Sequence, residues 1–166
     1  MPRRAAAPNP WLRALLWLWL GALIGAMGFF GALTRVVFEV VPEPGMAGHL
    51  VRRLLDPLLA AGTVSGVGLA ALGAALGRGR AAIAAPLLIS IACMVNQFGV
   101  SRAVAEIHLT DPGLAPGMAA RFATLHRLSV WLFMAALLVA IVLAVIHARL
   151  EAQRARGIGP RRGETR

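Results

Sequence analysis

Apolar residues fill most of this chain in four long blocks, and polar residues gather in the connectors between them. The blocks run over Leu12–Thr34, Pro57–Gly77, Ala81–Val100 and Leu128–Ala148, the last entered through a more polar stretch that starts at Phe122. Each meets the need for roughly 20 predominantly apolar residues in a helix that crosses the hydrocarbon of a bilayer. Inside lipid the backbone has no water to bond to, so such blocks must satisfy their own N–H and C=O groups as helices. The pattern therefore predicts an all-α fold, an integral membrane four-helix bundle. It forms one membrane domain over residues 12–148 between an N-terminal tail, 1–11, and an Arg/Gly-rich tail, 149–166. The second tail has no periodic apolar face and reads as disordered.

The connectors differ in kind. Gly77-Arg78-Gly79-Arg80 is so short that it forces the second and third helices to be antiparallel neighbours. Val41-Pro42-Glu43-Pro44-Gly45 and Thr110-Asp111-Pro112-Gly113 are clusters of helix breakers. Between the first of these and Pro57, the mixed segment Met46–Asp56 reads as a short interfacial helix.

Composition agrees with a lipid solvent: 58% of residues are hydrophobic and 14% charged, and the mean hydropathy of +0.73 lies outside the range of ordinary soluble domains. The net charge of +10 points to headgroups rather than nucleic acid, because no basic helix carries interleaved aromatics. All seventeen basic residues are arginine. Eleven lie in the N-terminal segment, the 78–80 turn and the C-terminal tail, against six in the other two connectors. That asymmetry predicts both termini in the cytoplasm. Glu39, Glu43, Asp56, Glu106 and Asp111 then fall on the outward side. The first block is too long for a signal-peptide core and continues through Phe29, Phe30 and Leu33. It reads as a retained helix with Trp11, Trp17 and Trp19 at headgroup level. Cys93 is the single cysteine, so no intramolecular disulfide can form.

Small residues mark packing faces. Gly21, Gly25, Gly28 and Ala32 recur at helical spacing in the first block, and Gly62 with Gly66 repeats the GxxxG interval in the second. Such stripes allow close helix approach, either within the chain or in a homo-oligomer.

Chemistry-bearing residues concentrate at the outward end. Asn96, Gln97, Ser101 and Arg102 close the third block, Glu106 follows one turn later in reach of Arg102, and His126 shares a face with Ser129 at the start of the fourth. Polar groups at the hydrocarbon edge meet one another, a cavity or a ligand, and Asn96 is placed to hydrogen-bond His126 across adjacent helices. Among the histidines, His49, His108 and His126 lie on this side and raise a metal or haem site, while His147 falls at headgroup level at the inner end. No pair has helical metal-site spacing, and no phosphate-binding loop, nucleophile elbow or pair of intramembrane carboxylates is present. No cofactor or metal is predicted on these grounds.

The chain resembles bacterial members of the transmembrane-protein-205-like family, a domain of unknown function. The likeness spans about residues 14–147: Gly21–Gly31 followed by Val37-Phe38-Glu39-Val40-Val41-Pro42, then Ala47-Gly48 through Gly62, Val95-Asn96-Gln97-Phe98, and the signature Phe122-Ala123-Thr124-Leu125-His126-Arg127-Leu128-Ser129. It departs from the family in Leu54-Leu55-Asp56-Pro57, where relatives are aromatic-rich, and in lacking an Asn after Ser129. The resemblance implies a four-helix integral membrane protein of a bacterial inner membrane and carries no agreed reaction. Two function classes stay open: a non-enzymatic membrane bundle, and a small membrane oxidoreductase or haem-associated protein using the outward histidines.

Overall fold

The computed structural model describes residues 9–110 and 116–156. Among them the structure is helical with no strand. Helix α1 spans Pro10–Val40, α2 Pro44–Ala75, α3 Arg80–Val95, α4 Ser101–Thr110 and α5 Pro116–Ala155. A π-helical turn, Asn96–Val100, joins α3 to α4 without a break. Four helices are long and apolar enough to cross a membrane, with α3, the π-turn and α4 together making the third. The breaker cluster at 111–113 and the tail beyond 156 lie outside the described residues.

Local chemistry sets the helix ends. The Asn9 side chain accepts a bond from the Trp11 N–H at 3.0 Å, and Pro10 fills the first helical position, where a missing N–H costs nothing. Pro44 plays the same part in α2. Pro57 does not start the second helix, as its position in the sequence suggested, but lies inside it, so Met46–Asp56 is continuous with the span. At the other end of α2 the Gly77 N–H bonds the Ala74 carbonyl and the Arg78 N–H bonds the Gly73 carbonyl, each at 2.9 Å. This is a Schellman cap, and it needs the positive φ of +60° that Gly77 adopts. The cap turns Arg78 back towards the bundle.

The helices alternate in direction. Phe30 packs on Phe133 with ring centroids 5.5 Å apart, and Trp17 meets His147 at 6.5 Å, so α1 and α5 are antiparallel neighbours that close the ring. Contact is most extensive between α2 and α3, followed by α3 with α5 and α1 with α2. Leu16, Leu20, Leu23 and Met27 form the inward stripe of α1, and meet Leu59, Leu69 and Leu72 of α2, Ile89 and Cys93 of α3, and Ala140 and Leu143 of α5 in one core. Outward faces stay apolar, as with Leu18, Phe29, Val64, Trp131 and Leu138. Apolar surface turned outward along four spans is the pattern of a multi-pass membrane protein.

Glycine placement divides the two stripes. A Cβ on Gly62 would lie 2.6 Å from the Cys93 Sγ, and one on Gly66 would overlap the Ser90 hydroxyl and the Pro86 carbonyl. One on Gly73 would lie 2.8 Å from the Ala82 carbonyl oxygen, which Pro86 leaves without its usual helical donor. Here α2 and α3 run backbone to backbone, fastened by the Ser90 hydroxyl donating to the Thr63 carbonyl at 2.6 Å. By contrast, Gly21, Gly25 and Gly28 meet nothing within 4 Å. They do not pack inside this chain, and that face of α1 is left to lipid or to a second copy.

Candidate functional site

Polar side chains gather at the two ends of the bundle, and the more tightly built group is at the end that carries the termini. From its capped turn Arg78 reaches into the bundle with a fully enclosed side chain. One Nη2 donates to the Glu151 Oε1 at 2.5 Å. The Nη1 lies 2.7 Å from the His147 Nδ1 and 3.4 Å from the His147 carbonyl oxygen. The second carboxylate oxygen of Glu151 accepts from the Trp17 indole N–H at 3.1 Å. A guanidinium only donates, so the His147 Nδ1 must keep its lone pair and the imidazole is the neutral tautomer protonated on Nε2. His147 is fully buried, inside the bundle rather than on its surface. The physical reason is that α5 continues to Ala155, carrying His147 and Glu151 one turn apart beside the enclosed guanidinium.

This clasp joins three elements: α1 through Trp17, the α2–α3 turn through Arg78, and α5 through His147 and Glu151. Trp19, one turn face away, donates to the Ser65 hydroxyl at 2.9 Å and lies over Gly68, where any Cβ would strike the indole. Trp17 and Trp19 therefore turn into the bundle, whereas Trp11 is exposed. Sequence reasoning passed over the clasp because an arginine in a short connector reads as a topology signal. The i, i+4 pair His147 and Glu151 on one face of the last helix was the available clue.

At the opposite end Asn96, fully buried, opens the π-turn, and its Nδ2 donates to the Ser129 backbone carbonyl at 3.2 Å. Asn96 and Ser129 are thus brought together across α3 and α5. His126 is not the partner: it is exposed and stacked on Phe122, ring centroids 6.0 Å apart. The expected Asn96–His126 bond is replaced because the buried amide meets the helix backbone one turn further into the bundle. Arg102 sits over the Phe98 ring, 5.1 Å from its centroid, and Glu106 is exposed on α4. Gln97 and Arg102 share a shallow hollow with Arg52, Asp56, Phe98 and Ser101. His49 is exposed on α2, and the His108 side chain lies outside the described residues. Among the described residues, no group of three or more His, Cys, Asp or Glu side chains is arranged to hold a metal ion.

Chemically, the clasp pairs one arginine with one carboxylate beside a neutral imidazole, while the Arg78 Nε and the His147 Nε2 stay buried without a partner among the described residues, as does the Asn96 Oδ1 at the opposite end. Comparison with family models, curated proteins and solved structures finds no match for the chain.

Proposed function

We propose that this chain is a non-enzymatic multi-pass protein of a bacterial cytoplasmic membrane, related to the transmembrane-protein-205-like family, with both termini cytoplasmic. The observation that carries the reading is the use made of Arg78. It is the cationic side chain buried in the bundle among the described residues, and both of its terminal nitrogens are engaged by residues that hold helices together. A catalytic or ion-translocating centre would instead present such a group to a cavity or path. The arginine asymmetry supports the orientation, since the clasp end also carries the termini and most of the arginines.

Reporter fusions after Arg156 and within 111–115 test the orientation, with the first expected to read cytoplasmic and the second outward. The absorption spectrum of purified protein tests the non-enzymatic reading against the haem alternative. A featureless visible region is expected, and a Soret band would overturn it.

A further inference from the structure

At the end of the bundle away from the termini, α2 and the π-turn region of the third span enclose an open hollow of about 200 Å³ lined by Arg52, Asp56, Gln97, Phe98, Ser101 and Arg102. Five of these six residues are polar, at an end of the bundle where His49, Arg53, Glu106 and Arg127 are also exposed. Arg52 and Asp56 stand one turn apart on α2, yet neither is ion-paired among the described residues, and neither the Gln97 nor the Ser101 side chain has a hydrogen-bond partner there. Arg52, Asp56 and Gln97 are half-buried and Ser101 is buried, while Arg102 is exposed at the mouth of the hollow. Unpaired polar groups converging at the edge of the hydrocarbon call for a ligand that is polar at the same depth.

The charge pattern narrows the ligand. Two guanidiniums suit a phosphate, which they bind through their in-plane N–H edges, and a cation held over a ring face, as Arg102 is over Phe98, keeps that edge available. A lone carboxylate beside them suits a cation that donates hydrogen bonds. Beside the hollow, Leu54, Met94, Val95 and Phe98 present exposed apolar side chains on which acyl chains can lie. The π-turn, with its wider backbone, supplies Gln97 and Phe98 at the lip.

We propose that this hollow binds the headgroup of phosphatidylethanolamine, with the phosphodiester between Arg52 and Arg102 and the primary ammonium on the Asp56 carboxylate. Gln97 and Ser101 provide further hydrogen-bonding groups. Phosphatidylglycerol has the phosphodiester but no cation for Asp56, and phosphatidylcholine has a cation with no N–H to donate.

Native mass spectrometry of the full-length protein in detergent, with equimolar phosphatidylethanolamine, phosphatidylglycerol and phosphatidylcholine, tests this directly. Phosphatidylethanolamine is expected to be retained at least about tenfold over phosphatidylcholine, the lower end of the scale of one hydrogen bond to a charged group. Asp56→Asn, close in shape to the native residue, should abolish that preference while phosphodiester binding survives. Arg52→Gln with Arg102→Gln should remove retention of all three lipids. Equal retention of the three by the native protein would overturn the proposal, as would an unchanged preference in Asp56→Asn. Soluble glycerophosphoethanolamine, added alone, should bind far more weakly than the lipid; binding at the lipid's level would overturn the lipid as the source of the headgroup. Thermal melts of each variant establish that it is folded, and Asp56→Asn decides the matter should the double arginine variant fail to fold.

Discussion

Arg78 draws more of its surroundings into its charge than any other residue described, because its guanidinium is enclosed and its partners are 69 and 73 residues away in sequence. Removing one side of a buried ion pair strands the other. Arg78→Gln should therefore destabilise the bundle by about 2–3 kcal/mol, below the roughly 3–5 kcal/mol of a fully enclosed pair because the Glu151 side chain keeps 30% of its exposure. Arg78→Met combined with Glu151→Leu should recover much of that loss, since apolar replacement of both partners removes the desolvation cost. Thermal unfolding in one detergent of the native protein, Arg78→Gln, Arg78→Met, Glu151→Leu and the double variant checks both expectations, and additive losses in the double variant would contradict the coupling. The side-chain partnerships were the part of the site least legible in the sequence. Counting arginines along the chain identifies Arg78 as a charge near a turn, but the Schellman cap that aims it inward and the helix that brings Glu151 to it are tertiary facts. Asn96 was legible as a polar residue needing a partner. Its partner was not, because a backbone carbonyl such as that of Ser129 leaves no mark in the amino-acid code.

At the scale of elements, glycine spacing alone does not reveal which stripes pack. Gly62 and Gly66 share the interval of Gly21 and Gly25, yet the first pair lies against the α3 backbone and the second against nothing in the chain. Gly66→Ala should cost about 1–3 kcal/mol, because the added carbon meets the Pro86 carbonyl and Ser90 rather than a side chain free to move. Gly25→Leu should leave the melting temperature of the monomer unchanged, and a loss comparable to that of Gly66→Ala would show that the α1 face is covered. Helix existence was legible throughout, since only a helix satisfies the backbone in lipid. Helix extent was less so. Pro57 looks like a start but lies inside one continuous helix, and α5 stays helical through the polar residues at both of its ends, with Glu151 held at one of them by Arg78 and Trp17.

For the molecule as a whole, hydropathy made the number of spans plain, whereas the order of helices around the bundle depends on contacts such as Phe30 with Phe133 that no local pattern encodes. The clasp adds a requirement in time. Ribosomes release α1 before α5, and the pin that joins Trp17, Arg78 and Glu151 needs residues from the first and the fourth span. Until Glu151 emerges, Arg78 lacks the carboxylate that answers its charge in the assembled bundle. The assembled bundle therefore carries a mark that its fourth span is in place, which membrane quality-control proteases can read. A chain stopped after Leu150 should be degraded in cells several times faster than one stopped after Arg156, as followed by pulse-chase, although both contain every membrane-spanning block. Arg78→Met should slow the loss of the shorter chain, since it removes the unanswered charge by which an unfinished protein is recognised.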